Sequence, residues 1–106
     1  MSWIYLVFAG IFEIGWAYSL KLSEGFSKLI PSLITVALMG FSFGLLAAAL
    51  KHLPIGTAYA IWTGIGAVGT AIVGMAFLGE SRDLPKLICI FLIVAGVVGL
   101  KVFSKQ

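Results

Sequence analysis

The chain has 106 residues, of which 61% are hydrophobic and only 10% are charged, and its net charge at pH 7 is +3. Soluble domains carry about 25% charged residues, and a domain of this size leaves around 40% of its unfolded-state surface exposed, so lipid must cover the apolar surface that cannot be buried. The composition excludes a soluble enzyme and a nucleic-acid binder with a basic face, and the single cysteine, Cys89, excludes an internal disulfide.

Four apolar stretches of the chain have the length of membrane-spanning helices. Residues 29–50 and 52–79 contain no charged residue and are longer than the ~18 residues that identify a transmembrane helix. Residues 3–20 contain one charge, Glu13, and a shorter apolar stretch before Lys101 is lengthened by lysine side chains that reach the membrane surface. The sequence therefore predicts one membrane domain over residues 1–106, with helices at about residues 3–21, 29–50, 54–78 and 84–103.

Glu13 is the only acidic residue inside a predicted span and the only charged residue away from the span ends. If the first helix begins near Trp3, Glu13 lies about 15 Å along it, in the middle of a hydrocarbon layer of about 30 Å. A carboxylate at that depth costs at least ~2.5–3.5 kcal/mol, so we expect it to have a function. A carboxyl group that holds either a proton or a cation is the minimal chemistry of an antiporter. The structural alternative is a Glu13 that only joins helices by hydrogen bonding.

Aromatic residues accompany this carboxylate in the predicted spans. Trp16 lies one turn after Glu13 on the same helical face. Ser42 is at the centre of the second span, and Tyr59 and Trp62 have the same three-residue spacing on the third. Aromatic faces attract cations by ~0.5–2 kcal/mol. These residues predict a site for a small delocalised cation, with plain packing as the alternative for the three aromatic side chains.

Other residues in the third and fourth spans have structural interpretations. The third span is longer than the ~20 residues that a crossing needs, and Gly64 and Gly66 near its centre predict a kink and a candidate hinge. Lys101 ends the fourth span and is predicted to anchor it at the membrane surface. Cys89 lies in an apolar run and is predicted to be a small buried residue.

The basic residues do not define an orientation in the membrane. Membrane proteins of fixed orientation carry a clear excess of Lys and Arg on their cytoplasmic side. With four spans, the side of the termini carries Lys51, Lys101 and Lys105, and the other side carries Lys21, Lys28, Arg82 and Lys86. Unless the loop boundaries lie elsewhere, both orientations coexist, which permits an antiparallel, dual-topology homodimer. Two opposed copies would supply the symmetry that inverted repeats supply in other transporters.

Four motifs of the chain form a recognisable set: GIFEIGWA at residues 10–17, SEGFSKLIPS at 23–32, LPIGTAYAIWTGIGAVG at 53–69 and GVVGLK at 96–101. In these motifs the chain resembles the small multidrug resistance family, and within it the guanidinium-exporter branch. The resemblance covers the whole chain. It implies four transmembrane helices, an antiparallel homodimer and proton-coupled export, and it gives Lys101 a second interpretation as part of a network near the site.

The resemblance also implies roles for individual residues. In the family the first-helix glutamate binds proton and substrate in alternation, which is the role that Glu13 matches. In the guanidinium branch a tryptophan follows the glutamate by three positions, and a serine on the second helix orients the carboxylate. Trp16 and Ser42 match these two residues. Tyr59 and Trp62 match the aromatic residues that line the site. Because the branch that exports polyaromatic cations has a small residue in place of Trp16, the resemblance favours guanidinium.

The predicted protein is an all-α integral membrane antiporter that exports guanidinium across the cytoplasmic membrane of a bacterium in exchange for protons. It is not predicted to be an enzyme, and no cofactor, metal or nucleic acid is expected. Guanidinium fits the prediction because its forked N–H donors match a carboxylate. An exporter of quaternary ammonium compounds is the alternative on the same fold. A non-transporting membrane partner subunit is the second alternative, and a passive channel is the third.

Overall fold

The computed structural model of the chain describes residues 2–103, so Lys105 of the predicted charge distribution lies outside the described residues. Within that range the chain forms four helices and no strand: α1 Ser2–Leu22, α2 Leu29–Ala49, α3 Ile55–Phe77 and α4 Leu84–Val102. Each is long and apolar enough to cross a membrane. The prediction of an all-α protein with four membrane-spanning helices is confirmed.

Prolines mark the starts of the later helices. Pro31 lies in the first turn of α2, Pro54 immediately precedes α3, and Pro85 lies in the first turn of α4. A residue without an amide hydrogen is tolerated there because the first amides of a helix have no partner within the helix. Away from the helix ends, the backbone groups of an α-helix bond one another along the helix, as lipid requires.

Helix α1 is central to the packing of the first three helices. The backbone of α1 lies close to those of α2 and α3, and the backbone of α4 lies close to that of α3 alone. The buried apolar core therefore comes from the first three helices and the α2–α3 loop, and its members are Leu6, Ala9, Ala49, Leu53, Ala58, Ile61 and Trp62. No residue of α4 is buried. The prediction that Cys89 is buried is wrong, because Cys89 lies on this exposed helix.

The helix α3 is continuous through Gly64 and Gly66, the residues at which a kink was predicted. Each glycine allows a close approach by a neighbouring helix. A Cβ at Gly64 would overlap the side chain of Val97 on α4, and a Cβ at Gly66 would overlap the side chain of Glu13 on α1. The close helix contacts explain why both positions have a residue without a side chain. A hinge at this point stays a prediction.

Candidate functional site

The carboxyl group of Glu13 lies between α1 and α3. It rests against Gly66, where any side chain would collide with the carboxyl oxygen Oε1 and the carbons that carry it. Oε1 is fully enclosed, and no residue within 2–103 forms a hydrogen bond with it. A buried acceptor without a partner costs about 1–3 kcal/mol. The site therefore presents an acceptor that a bound proton or a cationic donor can satisfy.

Trp16 supplies the complementary group, a donor, on the same face of α1. Its indole nitrogen Nε1 is also enclosed, and it too lacks a hydrogen-bond partner in the described part of the chain. Residues three apart on a helix are neighbours on its surface. One turn of α1 thus carries two unsatisfied polar atoms, Oε1 of Glu13 and Nε1 of Trp16, and both lie deep within a membrane-spanning helix.

Ser42 joins the three helices beside this turn. Its hydroxyl donates to the backbone carbonyl of Ala9 at 2.8 Å and accepts a hydrogen bond from Nε1 of Trp62 at 3.0 Å, and all three residues are buried. In an α-helix the carbonyl of Ala9 also faces the amide of Glu13, four residues on. A hydroxyl has a single hydrogen, so in this conformation Ser42 bonds the backbone of α1 and not the carboxyl group of Glu13.

Four aromatic rings form a continuous wall across α1, α2 and α3. Ring centroids are 6.4 Å apart between Trp16 and Phe43, 5.6 Å between Phe43 and Trp62, and 5.5 Å between Trp62 and Tyr59. Such separations are those of interacting aromatic pairs. Trp62 is buried, whereas Tyr59 is 56% and Phe43 45% exposed. The wall therefore has one buried ring, Trp62, and two rings, Tyr59 and Phe43, that are open at the surface of the single chain.

Phe43 was not among the residues singled out from the sequence. It links the tryptophan of α1 to the two aromatic residues of α3, so the wall depends on it. Its only signal in the sequence is that it follows Ser42. Many apolar residues lie beside a polar one in a chain of this composition, so this signal would not have distinguished Phe43.

Lys101 lies apart from these residues. Its Nζ atom is 4.5 Å from the ring centroid of Trp3, where the end of α4 meets the beginning of α1. Trp3 and Glu13 are separated by about 15 Å along the helix axis. The structure thus connects Trp16 to Trp62 and Tyr59 through Phe43 and connects Ser42 to Trp62, with Glu13 one helical turn before Trp16, and it places Lys101 at the end of the helix bundle. That these residues form one binding site stays a prediction. Among residues 2–103, no three His, Cys, Asp or Glu side chains come together as metal ligands would.

The hydroxyl of Ser42 can be tested by its removal. Ser42→Ala leaves the buried Nε1 of Trp62 without an acceptor, so we expect the free energy of unfolding to fall by about 1–3 kcal/mol. Thermal unfolding in detergent would measure the loss. The control is Ser32→Ala, because the exposed hydroxyl of Ser32 donates only to the carbonyl of Lys28 in the same helical turn, and this change should cost less than ~0.5 kcal/mol. Equal losses in the two variants would contradict the role given to Ser42.

The fold and the site together define a small multi-pass membrane protein with an acidic group and an aromatic wall inside the membrane. The family model described as Small Multidrug Resistance protein matches residues 1–93, and the chain belongs to the small multidrug resistance family. Three similar proteins are called guanidinium exporters. The protein of Yersinia pseudotuberculosis is 58% identical over 104 residues, which are 98% of this chain and 100% of the relative.

The other two relatives match almost as much of the chain. The protein of Salmonella typhimurium is 57% identical over 101 residues, and that of Escherichia coli K12 is 58% identical over 101 residues. In both cases the match covers 95% of this chain and 96% of the relative. Together with the four membrane-spanning helices, these relatives make the chain a multi-pass protein of a bacterial cell membrane.

Proposed function

We propose that this chain is a proton-coupled exporter of guanidinium ions that works as an antiparallel homodimer. The observation that carries the proposal is the enclosed Oε1 of Glu13, which has no hydrogen-bond partner within residues 2–103 and lies one turn from the equally unsatisfied Nε1 of Trp16. The guanidinium exporters that share 57–58% of their sequence with the chain support the choice of substrate. The activity is transport, with no chemical change in the substrate.

The chemistry of guanidinium matches this site. The ion is planar and presents several N–H donors in a fork that bonds a carboxylate in two places. Oε1 of Glu13 is an acceptor without a hydrogen-bond partner among residues 2–103, and the half-exposed rings of Phe43 and Tyr59 offer faces on which a planar cation can stack. A tetraalkylammonium ion has no N–H donor and could use only the aromatic contacts. Guanidinium therefore uses both features of the site.

An antiparallel second copy would complete the site. Tyr59 and Phe43 are about half exposed at the open edge of the wall, and no residue of α4 is buried. A partner chain at this edge would cover the exposed rings and bring a second Glu13 to the same space. Basic residues are spread almost evenly over the two sides of the chain, so the sequence does not oppose insertion in both orientations.

The mechanism follows from the use of one carboxyl group by two ligands. Glu13 binds a proton from the outer face, which neutralises it and expels guanidinium. On the inner face guanidinium displaces the proton, because the buried carboxylate needs one positive partner and accommodates only one. Since neither ligand can leave without the other taking its place, the proton gradient drives guanidinium outward. Ser42, Tyr59 and Trp62 hold the walls of the site while the access side changes.

The proposal predicts that guanidinium releases protons from the purified protein. In weak buffer near neutral pH, addition of guanidinium should acidify the solution, addition of tetraethylammonium should not, and Glu13→Gln should abolish the signal. Release by tetraethylammonium alone would favour an exporter of quaternary ammonium compounds. Silence with both ions would contradict the proposal and favour a non-transporting partner subunit with a structural Glu13. Guanidinium flux without proton release would favour a passive channel.

A further inference from the structure

A cleft lies between α1, α3 and α4. It consists of two apolar cavities of about 280 Å³ and about 240 Å³. Ile65, Val97 and Val98 line both cavities, so the two are continuous, and we call them together the α1–α4 cleft. The backbone of α4 packs closely on α3, where Gly64 meets Val97, but it does not come close to the backbone of α1. This packing leaves a space between α1 and α4.

The α1–α4 cleft has the length of one leaflet of a bilayer. Along α1 its lining extends from Trp3 to Ile14, which is a rise of about 16 Å. The hydrocarbon core of a membrane is about 30 Å thick, so a cleft that begins at the helix ends reaches the middle of the membrane. Its lining residues are hydrophobic or glycine, with the exception of Lys101. The cleft therefore matches one acyl chain of a phospholipid in length and in surface.

Lys101 supplies a positive charge at the membrane-surface end of the cleft. Its Nζ atom lies 4.5 Å from the ring centroid of Trp3, and tryptophan is a residue that favours the level of the lipid headgroups. An ammonium group has three N–H donors, so contact with one ring face leaves donors for an anion. The two ion pairs within residues 2–103 involve other lysines. Lys101 therefore has no acidic partner in the described part of the chain.

The four acidic residues of the chain lie too far from Lys101 to pair with it. Glu13 is about 15 Å from Trp3 along α1. Glu24, Glu80 and Asp83 lie in the α1–α2 and α3–α4 loops, at the opposite ends of the helices. At the membrane surface the anions within reach of a lysine are the headgroups of anionic lipids, and basic pockets between membrane-spanning helices bind such headgroups. The charge at this end of the cleft is therefore complementary to a lipid phosphate.

We propose that the α1–α4 cleft binds one anionic phospholipid, with its phosphate at Lys101 and one acyl chain along the cleft towards Ile14. The lipid packs between α1 and α4, whose backbones do not meet, and so joins α4 to the rest of the chain. The cleft and the aromatic wall use different faces of α3, because Ile61 and Ile65 line the cleft whereas Tyr59 and Trp62 belong to the wall. A lipid in the cleft and a second copy of the chain at the wall can therefore bind together.

The charge requirement can be tested by adding lipids to the purified protein in a neutral detergent. Native mass spectrometry would measure the affinity of the first bound dioleoylphosphatidylglycerol and of the first bound dioleoylphosphatidylcholine. We expect the anionic lipid to bind about fivefold more tightly, since one lysine favours an anionic headgroup by about this factor, and Lys101→Gln should remove the preference. The matched control is Lys51→Gln, because Lys51 is exposed on the same membrane side but outside the cleft. A preference kept by Lys101→Gln, or lost equally in Lys51→Gln, would overturn the proposal.

The acyl-chain requirement can be tested by filling the cleft. Val98→Phe places a ring in the space of the chain and should lower the affinity for phosphatidylglycerol by at least about fivefold. The control is Leu92→Phe, because Leu92 is exposed on α4 and lines neither cavity, and it should leave the affinity unchanged. Equal affinities in the two variants would contradict the placement of the chain.

Two further results would identify a different occupant of the cleft. Glycerol 3-phosphate carries the phosphate without acyl chains, so it should not displace the bound lipid at equal concentration. Displacement would show a site for free anions and would overturn the proposal. The mass of the assembly in the same spectra gives the oligomeric state. If Val98→Phe dissociated the oligomer and left the lipid preference intact, the cleft would be covered by a second copy of the chain, and the proposal would again be overturned.

Discussion

Glu13→Gln should lower proton-driven guanidinium exchange by at least about 100-fold and abolish guanidinium-induced proton release. Truncating one partner of a buried charged hydrogen-bonded pair costs about 2–5 kcal/mol, and each 1.4 kcal/mol is a factor of about 10. Glutamine has the size of glutamate and can fill the same space against Gly66, but it can neither release a proton nor offer a negative charge. The variant should therefore keep the fold and lose the coupled exchange.

The matched control is Glu24→Gln. Glu24 lies in the α1–α2 loop with its side chain 65% exposed, and it pairs with Lys28. Removing one partner of an exposed pair changes stability by about 0–1 kcal/mol, so exchange should stay at the unmodified rate. Circular dichroism and size-exclusion chromatography would verify that both variants fold and assemble alike. Wild-type exchange by Glu13→Gln would show that the carboxyl group is not the shared binding group.

Features that depend on composition could be predicted from the sequence. The four helices follow from long apolar stretches with few charges, because lipid admits few other structures. Glu13 could be singled out because it is the only acidic residue within those stretches. The position of Trp16 beside Glu13 could be predicted because residues three apart on one helix are neighbours on its surface. In each case the information lies in residues that are close together in the chain.

Features that depend on contacts between helices could not be predicted in the same way. Ser42 donates to a backbone carbonyl of α1, and no side-chain pattern identifies a backbone partner. Phe43 resembles the other apolar residues of α2 until α1 and α3 are placed on either side of it. Cys89 was predicted to be buried, but burial depends on how α4 packs, and α4 contributes nothing to the core. The carboxyl group of Glu13 meets Gly66 only in the folded chain.

At Gly66 the sequence and the structure suggest different roles. Its place in the sequence makes it a candidate hinge, whereas the structure places its α-carbon directly against the carboxyl group of Glu13. Gly66→Ala should therefore move the carboxyl group and lower both guanidinium affinity and exchange by about 10- to 100-fold, since a 1 Å displacement at a site can cost ~100-fold. The fold should survive, because the atoms displaced are the end of a flexible side chain. Titration of proton release would measure the affinity.

Two further variants separate a hinge from a space requirement. Gly96→Ala is the control for adding a methyl group to a helix, since a Cβ at Gly96 meets no atom within 4 Å, and it should leave affinity unchanged. Glu13→Asp withdraws the carboxyl group by one methylene, which makes room for the methyl of Gly66→Ala. If Gly66 provides space, the double variant should bind guanidinium more tightly than the two separate losses predict when added. If Gly66 is needed as a hinge, a shorter acid on α1 cannot restore the flexibility of α3, and the losses should add.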